Sequence, residues 1–371
     1  MRTIQLMFGK ERSNMDIMNI FEIAIEKKAS DIFIIAGRPI SYKIMGNIVS
    51  FDEVLLSSDD TYHIISEIFG IANEKEMNIL EDEGDIDFSF SLPKFGRFRV
   101  SSYKQRNSFA AVIRVVFFEL PDPHKLGIPD VVMNLYRKTK GLVLITGPAG
   151  SGKSTTLACI IDKINRERNC HIMTFEDPIE FIHKHKRSII SQREIFTDTK
   201  SYIASLRSAL RQAPDVMLIG EMRDLETIEI ALTAAETGHL VLSTLHTTGA
   251  ANTIDRIIDV FPSNQQQQVR IQLSMQLQAV ISQHLIPSTE MDRVAAFEIM
   301  LANNAISNMI RESKVHQLNS IIYSSEDTGM KTMDESILEL YKKGLITKEN
   351  ALIYANEPDS LIKHIDEAHK Y

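Results

Sequence analysis

A glycine-rich segment between an apolar run and a helix-like stretch carries the strongest chemical signal in this sequence. Its residues match the phosphate-loop pattern G-x-x-x-x-G-K-[ST] in the required strand-to-helix context. Glycines let such a turn bring backbone N–H groups close to phosphate oxygens, and the N-terminus of the following helix adds positive potential. Lys153 would reach the β- and γ-phosphates of a nucleotide, and Ser154 would hold Mg²⁺. The predicted nucleotide-binding residues are Gly147, Pro148, Ala149, Gly150, Ser151, Gly152, Lys153, Ser154 and Thr155.

A second apolar run ends in a carboxylate and supplies another part of the predicted site. Residues 215–221 read Asp-Val-Met-Leu-Ile-Gly-Glu, so Glu221 follows Gly220 at the carboxyl end of a strand. Open parallel sheets bind their ligands at that end. Glu221 would therefore orient or deprotonate a water molecule, or hold Mg²⁺ through one. The simpler alternative is an acid that caps the next helix.

Three acids follow a further predicted strand, over residues 171–175. Glu176, Asp177 and Glu180 would lie at the same edge of the sheet, and three carboxylates there require a cation. The alternative is an acidic turn organised by Asp177 and Pro178.

Two histidines flank a fourth apolar strand, over residues 240–244. A histidine beside a γ-phosphate can sense the state of the nucleotide by hydrogen bonding, although at a strand end it is more often a structural donor. The strand would hold His239 and His246 about 20 Å apart at ~3.3 Å per residue. This spacing gives a metal-binding pair little support.

The secondary structure predicted around these residues differs from one part of the chain to the next. Short alternating strands and two helices predict a small α+β domain over residues 1–118, and four prolines and glycines mark a linker over 119–130. Apolar strands then alternate with helical patterns, which predicts a mostly parallel sheet covered by helices, an ATPase core over 131–288. Beyond Thr253 the pattern predicts helices to the end, with a break at Ile286-Pro287-Ser288 and a C-terminal helical region over 289–371.

Composition narrows the class of protein. A net charge of −8 over 371 residues argues against a large non-specific nucleic-acid surface, so we expect no nucleic-acid partner. No apolar run approaches the ~18 residues of a membrane span, and the first residues lack the apolar core of a signal peptide, which predicts a cytoplasmic protein. Two cysteines outside any C-x-x-C pair make a structural zinc site unlikely.

Taken in order, the four motifs resemble the Walker A, Asp box, Walker B and His box of the secretion ATPases. Within that superfamily the chain is similar to the PilT family of type IV pilus retraction ATPases. The likeness covers essentially the whole chain, including Ala29-Ser30-Asp31, Arg97-Phe98-Arg99-Val100 and residues 329–334. It implies an α/β protein: a PAS-like N-terminal α+β domain, a RecA-like P-loop motor domain with a C-terminal helical subdomain, and ATP and Mg²⁺ held between the two domains.

The resemblance also implies roles for individual residues. Lys153 and Ser154 match the Walker A pair, Glu221 the Walker B glutamate and Glu180 the principal acid of the Asp box, in which Glu176 and Asp177 rank lower. Arginines would neutralise transition-state charge and make hydrolysis depend on domain position. For any one of the N-terminal arginines, an exposed position on a strand without function is an equal alternative. The remaining residues that match are His239 and His246 of the His box, the N-terminal Arg99, Arg106 and Arg114, and the motor-domain pair Arg207 and Arg211.

The same resemblance predicts partners and a location. We expect a homohexameric ring, associated with the inner face of the plasma membrane, that docks on an inner-membrane pilus platform protein and works beside sister ATPases. Residues Ala305–Glu312 resemble the segment A-I-R-N-L-I-R-E associated with retraction, although Ser307 replaces its first arginine. Gln212-Ala213 replaces the usual acidic pair before Pro214. Ile306, Met309 and Ile310 would pack in a core and leave Arg311 and Glu312 exposed.

Two other functions stay open from the sequence. A pilus assembly or type II secretion ATPase would share the four motifs, but such proteins commonly carry a tetracysteine zinc module and a longer N-terminus, which this sequence lacks. A nucleotide-gated regulatory subunit would be expected to lose Lys153, Glu180 or Glu221, and all three are present.

Overall fold

The computed structural model describes residues 17–44, 46–72, 77–92, 95–116, 120–290 and 292–368. Contacts divide the chain into two compact units, Met1–Phe118 and Glu119–Tyr371. Met15, at the start of the first predicted helix, lies outside the described residues, as do Phe117 at a predicted strand end and Glu119 at the start of the predicted linker. The further division of the second unit at residue 288 stays a prediction.

The first unit is an antiparallel sheet covered by helices. Its elements are α1 (Ile17–Glu26), β1 (Asp31–Ile34), β2 (Ser41–Ile44), β3 (Asn47–Ser50), α2 (Ser58–Ile71), α3 (Met77–Glu83), β4 (Asp85–Leu92), β5 (Gly96–Gln105) and β6 (Ser108–Val116). The strands described in it follow the order β3-β2-β1-β6-β5-β4. Alternation in β5 places Phe98 and Val100 in the core, where the ring of Phe21 from α1 packs against Phe98. The α2 helix begins after Ser57, whose side chain forms a capping box with Asp60.

The second unit contains the predicted mostly parallel sheet with helices on both faces. Its strands and early helices are α4 (Asp130–Met133), a 3₁₀ turn (Asn134–Arg137), β7 (Gly141–Thr146), α5 (Lys153–Glu167), β8 (His171–Glu176), β9 (Ile189–Glu194), α6 (Tyr202–Ala209), β10 (Val216–Ile219), α7 (Leu225–Glu236), β11 (Leu240–Leu245), α8 (Ala250–Asp259), α9 (Ser263–Gln276), β12 (Leu277–Pro287) and β13 (Arg293–Leu301). In the described part of the chain the strand order is β13-β12-β7-β11-β10-β8-β9.

Burial of this sheet on both faces explains the apolar runs in the sequence. Every residue of β7, β10 and β11 is buried, as expected for parallel strands sandwiched between helices. All neighbours from β12 to β9 run parallel, and β13 alone among the described strands runs antiparallel, beside β12. The carboxyl ends of β7, β8, β10 and β11 consequently meet at one edge.

The expectation of helices from Thr253 onward is wrong. Strands β12 and β13 follow α9 and extend the sheet, and Pro287 ends β12 instead of breaking a helix. The strand β9 was also missed. A short apolar run such as residues 279–281 fits a buried strand and a buried helix equally well, because periodicity does not separate them. After α8 and α9, helices resume only beyond Leu301.

The last helices pack beside β12 and β13. They include α10 (Asn304–Arg311), α11 (Leu318–Tyr323), α12 (Met333–Lys342), α13 (Lys348–Tyr354) and α14 (Pro358–Ala368), with 3₁₀ turns at Val315–Gln317 and Glu326–Thr328. Ile337 and Ile365 join Ile286 and Val294 of the strands in a small separate core. In α10, Ile306 and Ile310 are buried, Met309 packs partly against the core, and Arg311 and Glu312 are exposed, as the sequence predicted. Over the residues described, none of the helices is both long and apolar enough to cross a membrane.

Candidate nucleotide site

The predicted phosphate loop joins the buried strand β7 to the helix α5. Gly147, Gly150 and Gly152 have φ angles of 137°, 75° and 87°, a region open to glycine but costly for other residues. Lys153 begins α5 and is 8% exposed. Its Nζ donates hydrogen bonds to the carbonyl oxygens of Gly147 at 2.9 Å and Pro148 at 2.8 Å. Burial lowers the pKa of Lys153, and the charge of Glu180 opposes that shift.

The loop fits a phosphate group by two observations. Neighbouring atoms leave no space for a side chain at Gly147 or Gly152: a Cβ atom there would lie 2.3 Å from the Gln283 carbonyl oxygen and 2.9 Å from Gln283 Nε2, respectively. Thr146 Oγ1 and Ser151 Oγ are buried and have no hydrogen-bond partner among the described residues. Buried polar atoms without partners are rare in proteins, so these hydroxyls suit a ligand with several oxygen atoms.

Glu221 lies at the same edge of the sheet as the loop, with both carboxylate oxygens engaged. Its Oε2 is 3.1 Å from Nε2 of His246, and its Oε1 pairs with Arg223. The carboxylate accepts, so the Nε2–H tautomer of His246 is the donor. Burial lowers the pKa of His246, and the positive charges of Lys153 and Arg223 lower it further. Both effects favour the neutral imidazole, whose Nε2–H can then donate to Glu221.

Gly220 fixes the position of Glu221. A Cβ atom at Gly220 would lie 2.8 Å from Tyr202 Oη and 3.2 Å from the Phe175 carbonyl oxygen, so only glycine fits. Thr244 Oγ1 donates a 2.6 Å hydrogen bond to the Gly220 carbonyl oxygen, which ties the end of β10 to β11.

The acidic segment after β8 lies at the same edge. Glu176 accepts a 2.6 Å hydrogen bond from Thr174 Oγ1 and a 3.4 Å bond from Gln192 Nε2. Burial raises the pKa of Glu176 to about 7, to which the charge of Glu180 contributes. Glu180 and Asp177 are exposed, and a cis peptide bond joins Asp177 to Pro178. Because β8 pairs with β10, this segment follows the strand next to the one that leads to Glu221.

Several residues of this site gave no signal in the sequence. A cavity of about 30 Å³ separates the start of α5 from β8 and β10, which is room for about one water molecule. His183, whose Nδ1 is buried without a partner within the described chain, lines it, and burial lowers the pKa of His183 to about 4. Only the fold places His183 and Thr244 around this cavity with the predicted Ser154 and Glu176, and Gln283 beside the loop.

The structure does not bring His239 to this edge. Its Nδ1 lies 2.9 Å from the Ala234 carbonyl oxygen, and its own carbonyl accepts a bond from Gly141 N–H at the start of β7. The length of β11 therefore separates His239 from His246, about 20 Å at ~3.3 Å per residue. This placement matches the structural alternative, and a catalytic role for His239 stays a prediction.

Arg207 and Arg211 also lie away from the loop of their own chain. Both are exposed, and Arg211 donates a 3.1 Å hydrogen bond to the Arg207 carbonyl oxygen at the end of α6. The next residue, Gln212, contacts His171 at the amino end of β8 through its carbonyl oxygen, 3.1 Å from the imidazole Nδ1. Their proposed catalytic roles likewise stay predictions.

The three N-terminal arginines fall into two groups within the first unit. Arg99 and Arg114 are direct cross-strand partners on β5 and β6, paired with Asp87 at 3.7 Å and Asp31 at 3.2 Å. Arg106 lies in the turn between these strands, with a φ of 46°. Seven residues of extended chain separate it from Arg99, about 20 Å. The predicted trio is therefore a pair and a separate residue.

This chain is similar to known proteins in both sequence and structure. The family model described as "Type II/IV secretion system protein" matches residues 9–353. The type IV pilus retractation ATPase PilT of Pseudomonas aeruginosa is 44% identical over 346 residues, which are 93% of this chain and all of that protein. A twitching motility protein of Neisseria gonorrhoeae is 47% identical over 79% of each chain. A crystal structure of the pilus retraction motor PilT with bound ADP superposes with a TM-score of 0.86 at 48% identity, over 94% of this chain and 99% of that one.

Proposed function

Because the chain belongs to the Type II/IV secretion system protein family, we propose that it is an ATPase motor that powers the retraction of type IV pili. One observation carries the chemistry: Lys153, Glu180, Glu221 and His246 lie at one edge of the sheet, around a loop shaped for phosphate. The pilus assignment is supported by a relative named as a pilus retractation ATPase, which this chain matches along that protein's whole length.

The chain's own residues would share the hydrolysis of ATP as follows. Backbone N–H groups of residues 149–152 and the N-terminus of α5 bind the phosphates. When nucleotide binds, Lys153 exchanges its hydrogen bonds to the loop carbonyls for hydrogen bonds to phosphate oxygens. The buried ammonium group thereby gains a partner of opposite charge. Glu221 orients the attacking water and accepts its proton, while His246 and Arg223 hold the carboxylate in place.

Few protein side chains at this site would bind Mg²⁺ directly. Within the described ranges, no group of three or more His, Cys, Asp and Glu side chains is placed to hold a metal ion. Ser154, at the start of α5, would supply a hydroxyl, and Glu221 would act through a water molecule. When bound, Mg²⁺ would neutralise charge on the phosphates, whose oxygens complete its coordination.

In this proposal, the motor generates force only when a second subunit contributes residues to the nucleotide site. Six copies form a ring, and arginines of the N-terminal domain approach the phosphates across the nucleotide, so that hydrolysis depends on domain position. Arg99 and Arg114 are the best candidates, since direct cross-strand pairing places both side chains on one face of β5 and β6. The exposed Arg311 and Glu312 at the end of α10 provide a surface for coupling.

The ring would work at the cytoplasmic face of the inner membrane, docked on a pilus platform protein and assisted by sister ATPases. A strain that lacks this gene tests the proposal directly. We expect excess surface pili that no longer retract, and restoration by the wild-type gene but not by a Lys153→Ala variant. Cells without pili would contradict retraction and indicate an assembly motor.

A further inference from the structure

Gln283 backs the phosphate loop from the neighbouring strand. On β12, Ser282 pairs with Thr146, the last residue of β7. Beyond this pair β12 continues straight, whereas the chain of β7 turns into the loop. Gln283 therefore stands directly behind the turn, and it is only 3% exposed. An amide side chain so deeply buried requires hydrogen-bond partners.

Gln283 contacts the loop at both of its ends and the helix behind it. Its carbonyl oxygen closes the space beside Gly147, and its Nε2 closes the space beside Gly152. Its Oε1 accepts a 2.8 Å hydrogen bond from Thr156 Oγ1, in the first turn of α5. Thr156 N–H in turn donates to the Gly152 carbonyl oxygen at 3.0 Å. One residue thus connects the first glycine, the last glycine and the helix.

We propose that Gln283 is a positioning residue that holds the phosphate loop in its nucleotide-binding shape. It acts through Gly147, Gly152 and Thr156, without contact to the nucleotide. The inference rests on the proposed nucleotide hydrolysis and adds to it a residue outside all four motifs.

The physical reason is the freedom of the loop itself. Three glycines with positive φ give the free loop many conformations. Phosphate binding restricts the loop to one of them, and this loss of freedom costs binding free energy. A clamp that fixes the loop beforehand removes this cost from binding. Loss of the clamp should therefore weaken nucleotide affinity, while saturating ATP should still fill and order the loop.

The hydrogen bond can be removed from either side. Gln283→Leu and Thr156→Val each delete it with little change in shape, and the full-length chain with both changes completes a double-mutant cycle. Gln278→Leu is the matched control, because Gln278 lies on the same strand and packs over Gly141, at the opposite end of β7. Calorimetry gives the ADP affinity, and steady-state assays separate KM from kcat.

We expect each single variant to bind ADP about tenfold more weakly, as the loss of one buried hydrogen bond suggests. The double variant should be no weaker than either single one, kcat should stay within about threefold, and Gln278→Leu should bind as wild type does. Wild-type affinity in Thr156→Val, or additive losses in the double variant, overturns the inference even if Gln283→Leu folds poorly. ADP binding by Lys153→Ala is measured in the same experiment, because unimpaired binding in that variant would instead refute the nucleotide site.

Discussion

Nε2 of His246 lies 3.1 Å from Oε2 of Glu221, at the ends of the neighbouring strands β11 and β10. The contact joins two motifs that the sequence separates by 25 residues. It leaves the carboxylate 16% exposed, held on its other oxygen by Arg223. An acid restrained in this way can orient a water molecule with little freedom of its own, and this relationship gives the first two predictions.

Glu221→Gln should keep nucleotide binding and reduce ATP turnover at least about 100-fold, because the amide keeps the shape but does not accept a proton. Binding of ADP and steady-state hydrolysis by the same preparation measure the two effects. Glu226→Gln is the control, since Glu226 is exposed in the first turn of α7. Hydrolysis at the wild-type rate in Glu221→Gln would remove Glu221 from the mechanism.

His246→Ala should reduce turnover less, by about tenfold, because the histidine acts by holding Glu221. The pKa of His246 is lowered from its ordinary 6.5, so the imidazole is neutral above pH 7. The ratio of wild-type to variant turnover should therefore be the same at pH 7.5 and pH 8.5. A ratio that changes markedly over this range would indicate that His246 becomes charged there.

Lys153→Ala should abolish measurable binding of ATP, since it removes the buried ammonium group that the loop carbonyls hold. Lys163→Ala, on the same helix but 41% exposed beside Glu167, should bind normally. Titration with a fluorescent ATP analogue compares them. Equal affinity in the two variants would contradict the phosphate-loop assignment.

Glu176→Gln should change how stability depends on pH. The folded pKa of Glu176 is about 7, above the ordinary value of 4.5, so the folded chain binds more protons than the unfolded one between these values. The contribution of Glu176 to the free energy of unfolding has its full value below pH 4.5 and is lost as the pH rises through 7. Melting curves of the nucleotide-free protein should show the wild type falling in Tm from pH 5 to pH 8 more steeply than Glu176→Gln. Parallel curves would mean that Glu176 is ionised throughout.

Arg114→Ala should lower turnover in the assembled ring while leaving ADP affinity nearly unchanged, because a transition-state contact affects kcat and not ground-state binding. Light scattering should first show six subunits in the presence of nucleotide. Arg38→Ala, an exposed arginine in a turn of the same unit, serves as the control. A monomer with full activity would exclude the ring mechanism.

The sequence predicted the parts of the site that short segments encode. The positions of Lys153 and Glu221 follow from a strand, a turn and a helix within a few residues, and the common edge of a parallel sheet then brings them together. His239 shows the limit of this reasoning, because a motif names residues on both sides of a strand and the strand holds them at opposite edges. The role of Gln283 depends on a strand pairing across more than 100 residues, which no local pattern encodes.

The same pairing determines how short a working fragment of this protein can be. A fragment that stops at Gln276 would retain all four nucleotide-site motifs, yet it would lack the strand behind the phosphate loop. It would also lack Ser282 and Glu298, which accept hydrogen bonds from Gly249 N–H and Ala250 N–H just after His246. Truncation or domain exchange should therefore preserve the chain through Leu301, where the β12–β13 ribbon ends.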